Sequence, residues 1–131
     1  MRASIDRLMH AFDVLGDPVR RRLLEALAHE ERSSGELVTE VKRDFSISQS
    51  GVSQHLRILR ESGFATVRVD GTRRMYSIDT AGLRHVDHWL GQFRGLWEHR
   101  LDALAVEVAR GKRARHKRNK PKKRKQRGMS E

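Results

Sequence analysis

Cysteine is absent from the sequence, which excludes disulfides, thiolate metal ligands and a thiol-based redox sensor. No apolar run approaches the ~18 residues needed to cross a bilayer, so no membrane association is expected. The opening stretch, Met1 to His10, carries Arg2, Asp6 and Arg7 and lacks the apolar centre of a signal peptide. A soluble, cytoplasmic protein is the expectation. Also missing are a Ser/His/acid set, a phosphate-binding loop and a complete metal site at suggestive spacing, so neither an enzyme nor a cofactor is expected. The formal net charge of +11 has a particular location. Twelve of the 28 Lys and Arg residues follow Ala109, against one acid, Glu131, while residues 1–109 hold 16 basic and 16 acidic residues. Any reading of a charged partner by residues 1–109 therefore depends on where their arginines fall, since bulk charge there is balanced.

The remaining sequence, 131 residues in all, suffices for one compact domain with a modest core. Ile5, Leu8, Met9, Phe12 and Leu15 recur at helical spacing and end at Gly16. Asp17-Pro18 is an N-cap followed by proline at the first helical position, and Val19, Leu23, Leu24 and Leu27 give the next helix its apolar face. Ser33 and Glu36 match a capping box ahead of Leu37, Val38 and Val41. A fourth helix is expected from Ser46 or Ser48, with Val52, Leu56 and Leu59 buried and Gly63 as its stop. The period then changes: residues 64–69 and 73–78 alternate as strands around Asp70-Gly71-Thr72, a hairpin signal. A long helix is predicted over 80–109, with an apolar seam of Val86, Leu90, Phe93, Trp97, Leu101, Leu104 and Val108. The predicted class is mainly α with a small β-hairpin: a winged helix-turn-helix of four helices, a two-stranded wing and a long C-terminal dimerisation helix.

A short helix pair followed by a basic hairpin is a reading head for double-stranded DNA, because the major groove admits one helix whose exposed side chains reach base edges. Opposite the buried stripe of the fourth helix lie Gln49, Ser50, Ser53, Gln54 and Arg57, with Ser48 at its start and His55 between the two faces. Glutamine bonds adenine, arginine bonds guanine or phosphate, and serine adapts to either. An ordinary solvated face is the competing reading, but no acid occurs between Ser46 and Arg60. Arg68, Arg73 and Arg74, with Thr72 at the turn, are expected to lie on phosphates or in the minor groove. Protection of an edge strand by charge is the alternative.

The stretches FDVLGDPVRRRLL (12–24), SQSGVSQHLRILRESGF (48–64) and VDGTRRMYSI (69–78) resemble the first helices, recognition helix and wing of ArsR-type (ArsR/SmtB) regulators. The similarity covers residues 5–105. It implies a homodimer built on the first and last helices, through Leu8, Phe12, Leu90, Phe93, Trp97, Leu101 and Leu104. It also implies repression of transcription at a pseudo-palindromic operator. The apolar seam supports the dimer independently, since so small a body cannot easily cover it. The family's metal sites transfer poorly. Where relatives carry two cysteines in the third helix, this chain has Val38 and Glu40; a set on the last helix becomes Val86, His88, His99 and Asp102. Three of those four can ligate zinc, so the chain is identified with the metal-independent branch, and a zinc-responsive repressor using His88, His99 and Asp102 is the alternative. The inducer, small molecule or metal, is not named by the sequence.

Residues 110–131 hold no apolar side chain between Ala114 and Met129 and contain Pro121. They are expected to form a disordered basic tail that binds phosphates without sequence preference and associates the protein with the nucleoid. An architectural nucleic-acid-binding protein dominated by this tail is the remaining alternative.

Overall fold

The computed structural model describes residues 2–119. Among these, five helices and three strands follow in the order α1 (Arg2–Leu15), α2 (Pro18–Leu27), β1 (Arg32–Ser33), α3 (Ser34–Lys42), α4 (Gln49–Glu61), β2 (Ala65–Asp70), β3 (Arg73–Ile78) and α5 (Thr80–Asn119). The chain divides into two compact units, one ending at Leu90 and the other starting at Gly91. No helix among the described residues is long and apolar enough to cross a membrane.

The helix starts are set by side chains that satisfy otherwise orphaned amides. Asp17 accepts from the N–H groups of Val19 at 2.8 Å and Arg20 at 3.1 Å. Ser33 and Glu36 close a full capping box at α3, and Ser48 accepts from Gly51 N–H at 3.0 Å to start α4. The end of α4 is equally determined. Phe64 N–H donates to Leu59 O at 2.8 Å and Gly63 N–H to Arg60 O at 3.4 Å, while Gly63 takes φ +79°. These are the paired bonds of a Schellman motif, whose left-handed residue glycine adopts without strain. Phe64 is thereby turned into the core, where it is fully buried.

The core lies among α2, α3, α4 and the start of β2. Leu23, Leu37, Val41, Val52, Leu56, Leu59 and Phe64 are its largest contributors, each of the order of 1.5–3 kcal/mol of apolar burial. Arg22 fastens α2 to α3 from outside, donating to Glu40 at 2.6 Å and Asp44 at 3.2 Å.

The expected two-stranded wing is present as β2 and β3, and a third short strand joins it. Strand order is β1-β3-β2, all antiparallel, and the extra strand consists of Arg32 and Ser33 opposite Tyr76 and Met75. Two residues carry no periodicity, so nothing local marks β1; its pairing comes from the sheet. The hairpin turn is tighter than expected. Asp70 pairs with Arg73, leaving Gly71 and Thr72 as the turn, with Gly71 at φ +66°, the left-handed conformation that a two-residue hairpin favours at its first turn position.

The first and last helices add two details. The α1 residues facing the core are Ala11 and Val14, whereas Ile5, Met9 and Phe12 are exposed and Leu8 is half-buried. Helical spacing identified an apolar stripe but not the body it faces. α5 continues to Asn119, beyond the end at Ala109 that the sequence predicts. This stretch is free of proline until Pro121 and is built largely of Lys, Arg and Ala, which are good helix formers. The rest of the expected tail, residues 120–131, lies outside the described residues.

Candidate nucleic-acid interface

α4 is held against the core by Val52, Leu56 and Leu59, all buried, so its opposite face is turned outward. Gln49, Ser50, Ser53, Gln54 and Arg57 are exposed on that face. Gly51 permits the close entry of the helix: a Cβ there would approach Ile47 Cγ1 to 2.9 Å. Ser48 is the N-cap, and its hydroxyl also lies 3.2 Å from that of Ser50. The helix start and the first polar residues of the outer face are therefore one hydrogen-bonded unit.

His55 has a different setting. It is half-buried, with Nδ1 3.2 Å from Arg20 Nη1. The same guanidinium donates to Val14 O at 2.8 Å and Asp13 O at 3.2 Å. Arg20 therefore links α4 to the α1–α2 corner, and His55 is its α4 anchor. Beneath that corner, burial pushes the Asp17 carboxyl up, but N–H bonds from Arg20 and Val19 and the electrostatic influence of His55 and Arg20 outweigh it. Its pKa is held below the ordinary value.

The wing arginines do not form one cluster. Directly paired residues of antiparallel strands share a face and successive residues alternate. The register pairs Arg68 with Met75, Val69 with Arg74 and Asp70 with Arg73, which puts Arg68 and Arg73 on one face and Arg74, with Tyr76, on the other. Arg68 is engaged by Glu31 in a two-pronged contact, Nε to Oε2 at 2.9 Å and Nη2 to Oε1 at 2.6 Å. That contact holds the Glu31 carboxyl below its usual range and raises the Arg68 guanidinium. Arg73 and Thr72 are exposed at the hairpin end.

Arg74 and Tyr76 face α4 across a cleft of about 290 Å³ lined also by Ser34, Ser53, Gln54, Arg57 and Arg60. Arg60, Tyr76 and Ser34 were not singled out in the sequence. The acid-free run ending at Arg60 carried a signal for one of them; Tyr76 and Ser34 carried none, because β3 and the start of α3 meet α4 only in the folded chain.

The residues expected to dimerise keep large exposed areas. Phe12 packs edge-on against Trp89 at 5.3 Å between ring centroids, and both remain more than a third exposed. Leu90 is half-buried; Phe93, Trp97, Leu101 and Leu104 are exposed, as are Trp89 and Leu96, which the expected set omitted. Among the described residues no three His, Cys, Asp or Glu side chains come together as a metal-holding group, so His88, His99 and Asp102 are not assembled into one.

A helix-turn-helix domain model matches residues 15–68. The chain is 37% identical over 95 residues to the HTH-type transcriptional regulator Rv2034 of Mycobacterium tuberculosis, covering 72% of this chain and 82% of that one. The crystal structure of an ArsR family transcriptional regulator matches with a TM-score of 0.58 at 26% identity, over 71% of this chain and 92% of the other. The solution structure of a homodimeric winged helix-turn-helix DNA-binding domain from Mycobacterium bovis, a possible ArsR-family regulator, shares the fold. Its TM-score is 0.54 at 22% identity, over 78% of this chain and 88% of that one. With the same order of helices and wing and this level of identity across most of a relative, the chain belongs to the ArsR family of winged helix-turn-helix transcriptional regulators.

Proposed function

We propose that the protein is a homodimeric repressor that occludes a promoter by binding a pseudo-palindromic operator. The observation that carries this reading is the outer face of α4: exposed Gln49, Ser53, Gln54 and Arg57, with no acid before Glu61 at the last residue of the helix, beside a cleft lined by three arginines and no carboxylate. Such a face fits a major groove, where glutamine and arginine make the specific bidentate contacts. The exposed apolar residues of α1 and α5 supply the dimer contact, and a two-fold axis there would present two copies of α4 to successive turns of one duplex. The homodimeric domain from Mycobacterium bovis supports the same assembly. The reading is that of a metal-independent, non-enzymatic regulator of the cytoplasm. Its basic C-terminal residues add sequence-independent attraction to the nucleoid.

The test compares Gln54→Ala with the unaltered protein on an operator duplex and on a scrambled duplex of equal length. The expected result is loss of preference: weakening by about 1–3 kcal/mol on the operator and little change on the scramble. Equal loss on both duplexes would remove α4 from base reading. Binding that is already equal on both duplexes before substitution, and lost on removing residues 120–131, would favour the architectural reading.

A further inference from the structure

Several arginines of this fold are held by protein partners. Arg20 is bound to two backbone carbonyls and His55, Arg21 to Leu15 O, Arg22 to Glu40 and Asp44, Arg32 to Ala26 O, and Arg68 to Glu31. Arg57, Arg60 and Arg74 differ. None of the three side chains makes a hydrogen bond or ion pair with another described residue, yet all three line the same cleft between α4 and β3. Three like charges brought together without a counter-charge repel one another, and the arrangement is relieved by an anion.

A second observation comes from the floor of the cleft. Tyr76 is only 7% exposed, and its hydroxyl makes no hydrogen bond to another described residue. A buried tyrosine hydroxyl normally finds a partner. No fully buried side-chain oxygen or nitrogen among the described residues is left unsatisfied, so this hydroxyl keeps some exposure, and Tyr76 is one of the residues lining the cleft. A nearly buried tyrosine thus lines the same cleft as three arginines. Ser34 and Ser53 add hydroxyls at the walls. The donor set is cationic and planar, with neutral hydroxyl donors beside it, as a tetrahedral phosphate oxyanion requires.

We infer that the cleft between α4 and β3 is a built seat for a phosphate group, with Arg57, Arg60 and Arg74 supplying charge and Tyr76 donating from its floor. In the DNA-bound protein the phosphate is one of the operator backbone, a step that rests on the function proposed above; the seat itself does not. This assigns Arg57 to anchoring, with Gln54 and Ser53 left to reach the bases. It also gives the central strand a role in holding the register of α4 on the duplex, since Arg74 and Tyr76 come from β3.

Two conservative variants of the full-length protein test this. Tyr76→Phe removes only a hydroxyl that no protein atom uses, and Arg60→Gln removes one exposed charge, so both are expected to fold. In the first arm, pyrophosphate is titrated into the free protein while the arginine Nε–Hε signals are followed by NMR. The expected result is saturable shifts of Arg57, Arg60 and Arg74, weakened in both variants. In the second arm, anisotropy is measured on operator and scrambled duplexes across a salt series. Arg60→Gln is expected to lose about tenfold on both duplexes alike and to reduce the salt slope by about one. Tyr76→Phe is expected to lose roughly fivefold on both. Pyrophosphate shifts with unchanged DNA binding in both variants would keep the phosphate seat and assign it to a small phosphorylated ligand. Shifts in a protein that prefers no duplex would keep the seat while the operator reading failed. The inference is overturned if pyrophosphate perturbs none of the three arginines, or if either variant alters sequence preference, which would make the cleft a base-reading site.

Discussion

Gly82→Ala probes the join on which the position of α4 depends. Gly82 lies in the first turn of α5, where its N–H donates to Gly63 O at 2.7 Å. A Cβ at this position would stand 2.6 Å from Cδ1 and Cε1 of Phe64 and 2.7 Å from its Cζ. Two effects oppose each other. Alanine in a helix is favoured over glycine by roughly 0.5–1 kcal/mol. Against that, a methyl driven into a packed ring costs typically 1–3 kcal/mol. The Phe64 ring is rigid and fully buried, so it cannot yield as a flexible chain end would, and the clash should dominate by about 1–2 kcal/mol. For a domain of this size each kcal/mol is worth about 4–8 °C, so the midpoint should fall by about 5–15 °C. Thermal unfolding followed by circular dichroism, at one fixed protein concentration because association contributes to stability, is the assay. Gly35→Ala is the control: its nearest neighbour would be Ser33 Oγ at 4.0 Å, and its midpoint should be unchanged or higher. A Gly82→Ala protein as stable as the parent would show that Phe64 does not pack beneath α5 as described.

Three other outcomes follow from the same structure. Asp17→Ala, which removes the α2 cap, should cost about 1 kcal/mol. Because the folded-state pKa of Asp17 is lowered, its contribution is full above the ordinary aspartate value of about 3.9. The contribution is lost as pH falls through the depressed folded value, so parent and variant should converge in acid unfolding. Arg68→Gln should leave DNA affinity nearly unchanged while Arg74→Gln weakens it on every sequence, because Glu31 already holds Arg68; anisotropy on operator and scrambled duplexes decides between them. Met9→Glu places a charge at a residue 64% exposed in the single chain, so folding should survive while the dimer dissociates. Sedimentation would contradict the assigned interface if the variant remained dimeric.

The parts of this fold that were legible in the sequence are those governed by local chemistry. Asp17-Pro18, Ser33 with Glu36, and Ser48 announce helix starts because each cap is satisfied within three residues. The stripe of Val52, Leu56 and Leu59 announces the buried side of α4 and therefore its outer side. What needed the fold was pairing at a distance. Arg68 is separated from Glu31 by 37 residues and His55 from Arg20 by 35, so neither partnership has a local signal. Exposed apolar residues on α1 and α5 read from sequence as a stripe that must be covered, and the periodicity is the same whether the cover is the same chain or another. The seat formed by Arg57, Arg60, Arg74 and Tyr76 joins the acid-free stretch of α4 before Glu61 to a strand, and only the first half of that junction was visible beforehand.

The central claim is tested most directly by selecting genomic DNA with the purified full-length protein at ~150 mM salt, where non-specific attraction to phosphates is weakened. The account predicts recovery of a short inverted repeat whose half-sites lie about one helical turn apart, with the preference lost in Gln54→Ala. Recovery of unrelated fragments, equally by the parent and by Gln54→Ala, would contradict it.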